Sequence, residues 1–379
     1  MSNESPSAIR LPAEQRWRAE LDALRATDDR PRPDGWTLSP KAVWRFVVGD
    51  PEPLRWTDDD GVEHTVTLER KVVGHDVLVE RAITTLASDR ALLLIGEPGT
   101  AKSWLSEHLA AAISGTSRYT IQGTAGLTED QIKYAWNYAL LLAEGPSRRA
   151  LVPAPLHDGM SRGAMVRFEE ITRAPHEVQD TLLQALSEKL LFVPELEGED
   201  GMVLARPGFN VIATANTRDR GVHEMSAALK RRFHFETVPP IADLEQEMAV
   251  VRSQVEQRTA HTPAADVTLD EGVLELLVTT FHELRDGRTT DGTQLSRPAT
   301  AMSTAEAVAV GQNAVLQAAF FGDQVVEPGH VVMQLAGTVA KEDDAEAKVL
   351  RDYFEVAVKP RAARDVGLWK AYYAARDRI

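Results

Sequence analysis

Residues Ala91–Leu109 read ALLLIGEPGTAKSWLSEHL, and the fold of this chain can be worked out from that stretch. Its opening run is apolar, too short for a buried helix and typical of a fully buried parallel strand. A Gly-rich turn follows, after which Trp104, Leu105 and Leu109 recur on one face of a predicted helix. Strand, Gly-rich turn and helix, in this order, are the context of a phosphate-binding loop.

The Gly-rich turn has the residues that such a loop needs. Gly96 and Gly99 allow backbone N–H groups to converge on phosphate oxygens, and the following helix N-terminus adds partial positive charge. Lys102 can reach the outer phosphates of a nucleotide, and the Ser103 hydroxyl can bind Mg²⁺. Because Ala101 stands where the general pattern has its last Gly, a strand-to-helix turn with an accidental Lys-Ser pair is the alternative interpretation.

The composition is that of a globular protein and excludes several kinds of site. A length of 379 residues allows two or three domains, and the absence of cysteine excludes disulfides and thiolate metal sites. No apolar run reaches the roughly 18 residues of a membrane span. Since Met1–Arg10 is also polar, we expect a cytoplasmic protein. The net charge of −15 argues against an extended nucleic-acid-binding surface.

Alternating strand and helix patterns over residues 71–240 predict an α/β domain. Tyr119–Gln122, Met165–Ile171 and Phe209–Asn216 are apolar runs of strand length, and a helical pattern opens at Pro175. Strands that alternate with helices indicate a parallel sheet with helices on its faces. The fold class predicted is therefore α/β.

Two stretches interrupt this α/β pattern. Within residues 124–163, Ile132–Leu142 has a helical pattern and Val152–Pro155 is expected to break regular structure. Within residues 190–204, two short strands are predicted on either side of the acidic turn Glu195–Gly201. We interpret the first stretch as an insertion into the core and the second as a hairpin.

The two ends of the chain have other patterns. Residues 1–70 combine helical patterns with a hairpin signal at Asp58–Gly61, which predicts a small α+β extension whose Trp side chains pack against the main body. Helical patterns dominate from Ile241 onward, over residues 242–258, 270–284, 298–317, 346–357 and 366–377. We therefore expect an all-α domain at residues 241–379.

The C-terminal ends of the predicted strands carry groups suited to ATP hydrolysis. Ligands of open parallel sheets bind at that edge, where this chain has the Gly-rich loop, the pair Glu169-Glu170, and Asn216. One carboxylate can hold Mg²⁺ or its water shell, and a second can orient and deprotonate the attacking water. Taken alone, a pair of glutamates is as often a solvent-exposed strand end as a functional site. An Asn taken alone is as often a turn-forming residue. Their order along the chain favours a site.

Five stretches resemble the MoxR group of AAA+ ATPases. They are GEPGTAKS at 96–103, FEEITRAPHEVQDTLLQALSEK at 168–189, NVIATANT at 210–217, AALKRRF at 227–233 and LSRPATA at 295–301. The form G-x-P-G-x-A-K-[ST] is typical of that group, which accounts for Ala101. The resemblance covers about residues 72–340. It implies a P-loop αβα sandwich with a parallel sheet, an all-α lid domain and assembly into a homo-oligomer, usually a hexameric ring.

The resemblance also implies roles for individual residues. The implied catalytic residues are Glu170 as the Walker B base, Asn216 as sensor 1, Arg232 as the arginine finger and Arg297 as sensor 2. The implied nucleotide-binding residues are Val73, Gly74, Gly96, Glu97, Pro98, Gly99, Thr100, Ala101, Lys102, Ser103 and Trp104. The implied Mg²⁺-binding residues are Ser103 and Glu169. ATP and Mg²⁺ are therefore the expected substrate and cofactor.

Two positions depart from the pattern of the group, and one assignment has a close alternative. Glu169 stands where Asp is usual, and its extra methylene moves the carboxylate, so Mg²⁺ affinity or turnover is expected to differ. Thr172 stands where Asn is usual. Arg232 is favoured over Arg231 as the arginine finger because it directly precedes Phe233, as in the group. The alternative is that these basic residues form a solvent-exposed surface with no catalytic role.

The function that the resemblance implies is a chaperone-like remodelling or maturation factor that hydrolyses ATP. Partners in this group are often separate proteins with a von Willebrand A domain, and this sequence has no such domain. A nucleotide-gated scaffold with little turnover is the alternative that Glu169 favours. The ATPase subunit of a metal-chelatase-like complex is another, and a DNA-acting motor is disfavoured by the net charge.

Overall fold

The computed structural model describes residues 10–57, 60–216, 223–299, 302–340, 344–364 and 367–378. The chain divides into two compact units, the first of Met1–Gly96 with Ala101–Val238 and the second of Glu97–Thr100 with Pro239–Ile379. Among the helices of these described ranges, none is long and apolar enough to cross a membrane.

The first unit begins with helices and a hairpin and continues with alternating strands and helices. Its helices are α1 Ala13–Arg16, α2 Arg18–Thr27, α3 Pro40–Val48, α4 Asp76–Leu86, α5 Lys102–Ser114, α6 Tyr138–Glu144, α7 Pro155–Arg162, α8 His176–Asp180, α9 Leu182–Ser187 and α10 Ala227–Lys230. Its strands are β1 Asp50–Thr57, β2 Glu63–Leu68, β3 Ala91–Gly96, β4 Thr120–Gln122, β5 Tyr134–Trp136, β6 Leu151–Pro153, β7 Met165–Glu169, β8 Leu190–Phe192, β9 Met202–Leu204, β10 Asn210–Asn216 and β11 Phe233–Thr237.

The second unit is helical in its described residues, apart from short turns and a single bridge between Arg288 and Gln294. Its helices are α11 Leu244–Thr259, α12 Glu271–Asp286, α13 Thr304–Phe321, α14 Pro328–Leu335, α15 Asp344–Tyr353, α16 Lys359–Arg364 and α17 Leu368–Ala374. Apart from α16, which has no buried residue, their buried faces share one hydrophobic cluster that includes Leu277, Phe281 and Tyr353.

A five-stranded parallel sheet in the order β11-β3-β10-β7-β4 forms the centre of the first unit. Alternate residues of β3 face opposite sides of this sheet. Leu92 and Leu94 lie in one hydrophobic cluster with residues of α3, α4 and α5, and Leu93 lies in another with residues of α7 and α9. Both faces are therefore covered by helices, which is why the strand is a continuous apolar run without polar alternation.

The predicted fold class is confirmed. The first unit has an αβα sandwich with a parallel sheet, preceded by helices and the antiparallel strand pair β1–β2, and the second unit is all-α in its described residues. Asp58 and Asp59 of the predicted hairpin turn lie outside the described residues. β11 was not predicted, because as an edge strand it leaves His234, Phe235 and Thr237 exposed and buries only Phe233 and Glu236. A strand with this mixed pattern lacks the apolar run that identifies its neighbours.

Residues 124–163 differ from the sequence prediction in two places. The first part of Ile132–Leu142 is strand β5, and only its second part belongs to helix α6. Val152–Pro155 is not irregular, because Val152 pairs with Ala135 in an antiparallel ladder and Pro155 opens α7. A pairing between residues far apart in sequence overrides local propensity here, and Pro is favoured at the first position of a helix.

The second unit differs from prediction at one helix start and at two helices, α14 and α16, which lie outside the predicted helical ranges. α13 begins at Thr304 rather than near residue 298, because Ser303 and Glu306 form a reciprocal capping box that fixes the helix start. α14 was not predicted, since its eight residues are too few to show a clear helical period.

The N-terminal extension packs on α5, as its Trp residues predicted. Trp36 is buried, and Trp17, Trp44 and Trp56 are partly buried, in the hydrophobic cluster that includes the apolar face of α5. Arg10 Nη2 forms a salt bridge with Glu107 of the same helix at 2.5 Å. The extension therefore covers the helix that follows the Gly-rich loop.

A buried ion pair joins α2 to the segment that precedes α4. The Lys71 ammonium donates to the Glu20 carboxylate and, at 2.7 Å, to the Glu69 carbonyl oxygen, and it lies 4.3 Å from the centre of the Trp17 ring. Burial raises the pKa of Glu20 and lowers that of Lys71, and each partner's charge offsets part of this effect. Each side chain therefore depends on the other to remain ionised.

We expect Lys71→Met to lower the free energy of unfolding by about 3–5 kcal/mol, because it leaves Glu20 buried without a counter-charge. The double variant with Glu20→Gln should recover most of this loss, since no unpaired charge remains. Urea unfolding measures both. Arg25→Met is the control, because it breaks an exposed pair with Asp22 that should contribute less than about 1 kcal/mol. A double variant no more stable than Lys71→Met would contradict the interpretation.

Candidate functional site

The loop between β3 and α5 brings Lys102 and Ser103 to the C-terminal edge of the sheet. Ala101 directly precedes α5 and has a φ of 63°, in the left-handed region that Gly adopts most readily. The Ala in this chain therefore keeps the backbone conformation that the general pattern obtains from Gly. Lys102 is buried, and its ammonium donates to the Gly96 carbonyl oxygen at 3.1 Å.

The rest of the loop lies in residues Glu97–Thr100. Thr100 Oγ1 donates to the Glu97 carbonyl oxygen at 3.0 Å, which closes the turn on itself. Pro98 follows Glu97, and Gly99 has a φ of 77°, which Gly supplies without strain.

The Glu169 carboxylate, at the end of β7, is the centre of a buried hydrogen-bond network. Ser103 Oγ donates to Oε2 at 2.6 Å, and Thr214 Oγ1 lies 2.8 Å from the same oxygen. Ser106 Oγ and Arg167 Nη2 lie 2.6 Å and 2.8 Å from Oε1. These four contacts occupy the roughly four acceptor positions of an ionised carboxylate.

This environment keeps Glu169 ionised. Burial by itself opposes ionisation, but the Arg167 guanidinium and the hydroxyls of Ser103, Ser106 and Thr214 outweigh it and hold the pKa below its usual value. Because Ser103 directs its proton to Glu169, the lone pairs of its oxygen stay available to another ligand.

The oxygen ligands offered here suit Mg²⁺, which usually binds few protein groups and keeps waters and phosphate oxygens. Ser103 is suited to direct contact with the metal, and Glu169 to indirect contact through Ser103. Within the described ranges, this site included, no group of three His, Asp or Glu residues could hold a metal ion by itself. A metal at this edge would therefore complete its shell from water or from the bound ligand.

Glu170 follows the end of β7 in a left-handed backbone conformation, with φ 53° and ψ 47°. Such a conformation costs a non-Gly residue about 1–3 kcal/mol, so its surroundings must hold it. Its N–H donates to Thr214 Oγ1 at 2.9 Å, and its carboxylate accepts from Asn216 Nδ2 at 3.4 Å. Arg173 Nε lies 2.9 Å from the other carboxylate oxygen. The backbone turn thus separates the Glu170 carboxylate from the Glu169 carboxylate, while Thr214 connects the two residues.

Strand register explains why these groups meet. Asn216 of β10 lies opposite Gly96 of β3, and Ala213 of the same strand lies opposite Phe168 of β7. Because the strands are parallel and adjacent, the Gly-rich loop, the two glutamates and Asn216 end at one edge of the sheet.

Four members of this site were missed at the sequence level: Arg167, Ser106, Thr214 and Arg173. Each lies two or three residues from a predicted member. Arg167 and Thr214 precede Glu169 and Asn216 by two positions on the same strand, and therefore share a face with them. Ser106 follows Ser103 by one helical turn. These spacings were the signals available.

The segment before α4 is tied to the start of α5. Trp104 Nε1 donates to the Lys71 carbonyl oxygen at 2.9 Å, two residues before Val73. Gly74, with a φ of 81°, then turns the chain toward α4. This hydrogen bond connects the segment that contains Val73 and Gly74 to Trp104, so the three predicted nucleotide-binding positions belong to one part of the first unit.

The two remaining predicted arginines lie outside the hydrogen bonds around Glu169 and Glu170. Arg232 donates from Nε to Ser187 Oγ and from Nη1 to the Ala228 carbonyl oxygen, both at 2.9 Å. Arg231 beside it is exposed. Arg297 belongs to the second unit, where its Nε donates to the Asp286 carbonyl oxygen at 3.0 Å, at the end of α12.

Two protein families match this sequence. Residues 91–233 match the AAA domain of the dynein-related subfamily, and residues 245–379 match the C-terminal domain of YehL-like AAA+ ATPases. The first match contains β3, β7 and β10 with their site residues, and the N-terminal extension lies outside both matches.

Three proteins of similar sequence differ in how much of this chain they match. Protein YehL of Escherichia coli K12 is 48% identical over 379 residues, which is 100% of each chain. Chaperone MoxR1 of Mycobacterium tuberculosis is 30% identical over 187 residues, 48% of this chain and 45% of its own. Gas vesicle ATPase GvpN2 of Halobacterium salinarum is 28% identical over 206 residues, 50% of this chain and 56% of its own. The chain thus spans all of YehL and about half of the other two.

A solved structure of similar fold is NtrX from Brucella abortus in complex with ADP. Its TM-score is 0.50 at 12% sequence identity, over 81% of this chain and 64% of that one. At this identity the likeness concerns the fold alone.

Proposed function

Because this chain belongs to the YehL-like AAA+ ATPases, which are of the MoxR type, we propose that it hydrolyses ATP to ADP and phosphate in order to remodel or mature a protein partner. The observation that carries the proposal is the joined network at the sheet edge. There Ser103 donates to Glu169 at 2.6 Å, and Asn216 lies 3.4 Å from Glu170. A loop suited to phosphates thus lies beside two acids in different environments.

Each residue of this network has a distinct part in the proposed reaction. Lys102 and the backbone N–H groups of the loop bind the phosphates, and Ser103 with Glu169 holds Mg²⁺. Mg²⁺, when bound, would offset charge on the phosphate oxygens. Glu170 orients the attacking water and accepts its proton, and Asn216 fixes the position of the Glu170 carboxylate and of that water.

The different surroundings of Glu169 and Glu170 support these different roles. Glu169 makes four hydrogen bonds that fix it in place, whereas Glu170 accepts from Asn216 and Arg173 on a separate turn of backbone. Because its acceptor positions are filled, the Glu169 carboxylate is suited to fixing the side chains around it. The Glu170 carboxylate has unfilled acceptor positions and is therefore suited to binding water.

We further propose that subunits assemble as a homo-oligomeric ring, with six as the expected number, and act on a separate von Willebrand A-domain protein. The resemblance to the MoxR group supports this part. Of the relatives, MoxR1 is named a chaperone and GvpN2 a gas vesicle ATPase. In such a ring Arg232 would act on the site of the neighbouring subunit, and Arg297 would contribute from the lid.

The nucleotide-binding half of the proposal is tested by Lys102→Ala. We expect ATP and ADP affinity to fall about 10–100-fold, since a hydrogen bond to a charged group contributes about 1.5–3 kcal/mol. Calorimetric titration measures it, with Lys370→Ala, an exposed residue of α17, as the matched control. Equal affinities of Lys102→Ala and the wild-type chain would remove Lys102 from the site.

A nucleotide-gated scaffold is the second candidate, and the filled acceptor positions of Glu169 favour it. A carboxylate that is so fully bonded could support binding without supporting rapid turnover. Steady-state phosphate release by the assembled wild-type chain separates the two functions. Tight ATP binding with no release above the Glu170→Gln background would select the scaffold.

A further inference from the structure

We propose that Arg167 is a positioning residue that anchors the Glu169 carboxylate and, through it, presents the Ser103 hydroxyl oxygen to Mg²⁺. This inference rests on the proposed function, because Mg²⁺ and nucleotide are ligands of that site. Arg167 belongs to β7, lies outside the Gly-rich loop in the sequence, and is not part of any motif identified in the chain.

Arg167 is 8% exposed, and its contacts match the capacity of a guanidinium group. Arginine has five N–H donors in a fixed plane, and five acceptors surround this one. Nε donates to Ser106 Oγ at 3.1 Å. Nη2 donates to Glu169 Oε1 at 2.8 Å and to the Ser103 carbonyl oxygen at 3.2 Å. Nη1 donates to Thr120 Oγ1 at 3.3 Å and to the Ser117 carbonyl oxygen at 3.4 Å.

These contacts connect three elements at the metal end of the site. Arg167 lies on β7, Ser103 and Ser106 lie in the first turns of α5, and Thr120 begins β4. The guanidinium therefore fixes the start of the helix that carries Ser103 relative to the strand that carries Glu169. A change in its geometry would move the hydroxyl oxygen relative to its carboxylate partner.

Arg167 also decides which carboxylate oxygen faces Ser103. The terminal torsion of a glutamate is broad and roughly two-fold, so the carboxylate orientation must be set by its neighbours. Arg167 and Ser106 hold Oε1, which leaves Oε2 for Ser103 and Thr214. The Ser103 proton is thereby committed to Oε2, and the oxygen lone pairs face the other way.

The pairing accounts for Glu169 at a position where the resembling group usually has Asp. The longer side chain needs an additional anchor because it has one more rotatable bond. Arg167, two residues earlier on the same face of the strand, supplies that anchor.

The test is ADP affinity measured calorimetrically with Mg²⁺ and with EDTA, on the full chain. The ratio of the two affinities is the metal-dependent gain. Arg167→Lys keeps the charge but loses the planar five-donor geometry. We expect its affinity in EDTA to stay within about twofold of wild type and its metal-dependent gain to fall by about tenfold, as for a lost charge-assisted hydrogen bond.

Arg118→Lys is the matched control, because Arg118 is an exposed arginine beside β4 and should leave both affinities unchanged. An unchanged metal-dependent gain in folded Arg167→Lys would overturn the inference. So would an equal loss of affinity in Mg²⁺ and in EDTA, which would assign Arg167 a purely structural role.

If Arg167→Lys does not fold, Thr120→Val removes one Arg167 acceptor without touching Glu169. We then expect a smaller reduction of the metal-dependent gain, about two- to fivefold, at unchanged affinity in EDTA; an unchanged gain would overturn the inference. A wild-type chain that binds no ADP would overturn the proposed function and this inference together. A wild-type gain that Arg167→Lys or Thr120→Val retains would overturn the inference alone.

Discussion

Glu170→Gln should lower the rate of ATP hydrolysis by about 10²–10⁴-fold, the usual contribution of a general base, and leave nucleotide binding intact. The amide cannot accept a proton from water, yet its one oxygen can still accept a hydrogen bond from Asn216 or from Arg173. The left-handed backbone at Glu170, held through its N–H and Thr214, is unaffected by the substitution. Glu170→Gln should therefore bind nucleotide like the wild-type chain but hydrolyse ATP much more slowly.

Two other variants sharpen this experiment. Glu169→Gln leaves Arg167 without a buried counter-charge, so it should weaken Mg²⁺-dependent nucleotide binding as well as turnover. Glu177→Gln, on the exposed side of α8, is the neutral control. The measurements are steady-state phosphate release and ADP titration on all three. Full turnover by Glu170→Gln, together with an inactive Glu169→Gln that still binds Mg²⁺ and nucleotide normally, would exchange the roles of the two acids.

Arg232→Ala should abolish hydrolysis while ATP still binds, because its charge is expected to act on the site of a neighbouring subunit. A cation supplied in this way stabilises transition-state charge, and in GTPases such arginines contribute about 10³–10⁵ in rate. A head-to-tail contact of this kind is heterologous and closes into a ring or extends as a filament. Activity per subunit should therefore rise with protein concentration and with assembly.

Mixing Lys102→Ala with Arg232→Ala tests the trans arrangement directly. The first variant cannot bind ATP tightly but still supplies an arginine, and the second binds ATP but supplies none. In mixed assemblies, some sites combine an intact loop with an intact arginine, so activity should exceed the sum of the separate variants. ATPase rate against mixing ratio at fixed total protein, with native mass measurement of the assembly, gives the result. No recovery at any ratio, despite mixed assembly, would contradict the trans role.

Arg231→Ala is the matched control for this second experiment. Arg231 is exposed, whereas Arg232 is bonded to Ser187 and Ala228 within its own subunit, so Arg232 must release these bonds to reach another site. If Arg231→Ala, and not Arg232→Ala, loses activity and is complemented by Lys102→Ala, the finger is Arg231. Retention of full activity by both single variants would remove this basic segment from catalysis.

The three central strands of the first unit and the location of its Gly-rich loop could be predicted from local sequence. Buried parallel strands are continuous apolar runs, so β3, β7 and β10 could be recognised from local sequence. The Gly-rich loop is also local, since Gly96, Lys102 and Ser103 lie within eight consecutive residues. Their meeting with Glu169, Glu170 and Asn216 followed from the rule that parallel strands end at one edge.

The difference between Glu169 and Glu170 arises from contacts that local sequence does not reveal. The Glu169 network joins residues 45 to 66 positions apart, and its key cation, Arg167, looked like one charged residue within an apolar strand. The left-handed turn at Glu170 has no sequence signal, because a non-Gly residue enters that region only when its surroundings hold it there. The pairing of β5 with β6 and the edge strand β11 escaped prediction for a related reason: contacts between distant residues, rather than local propensity, stabilise them.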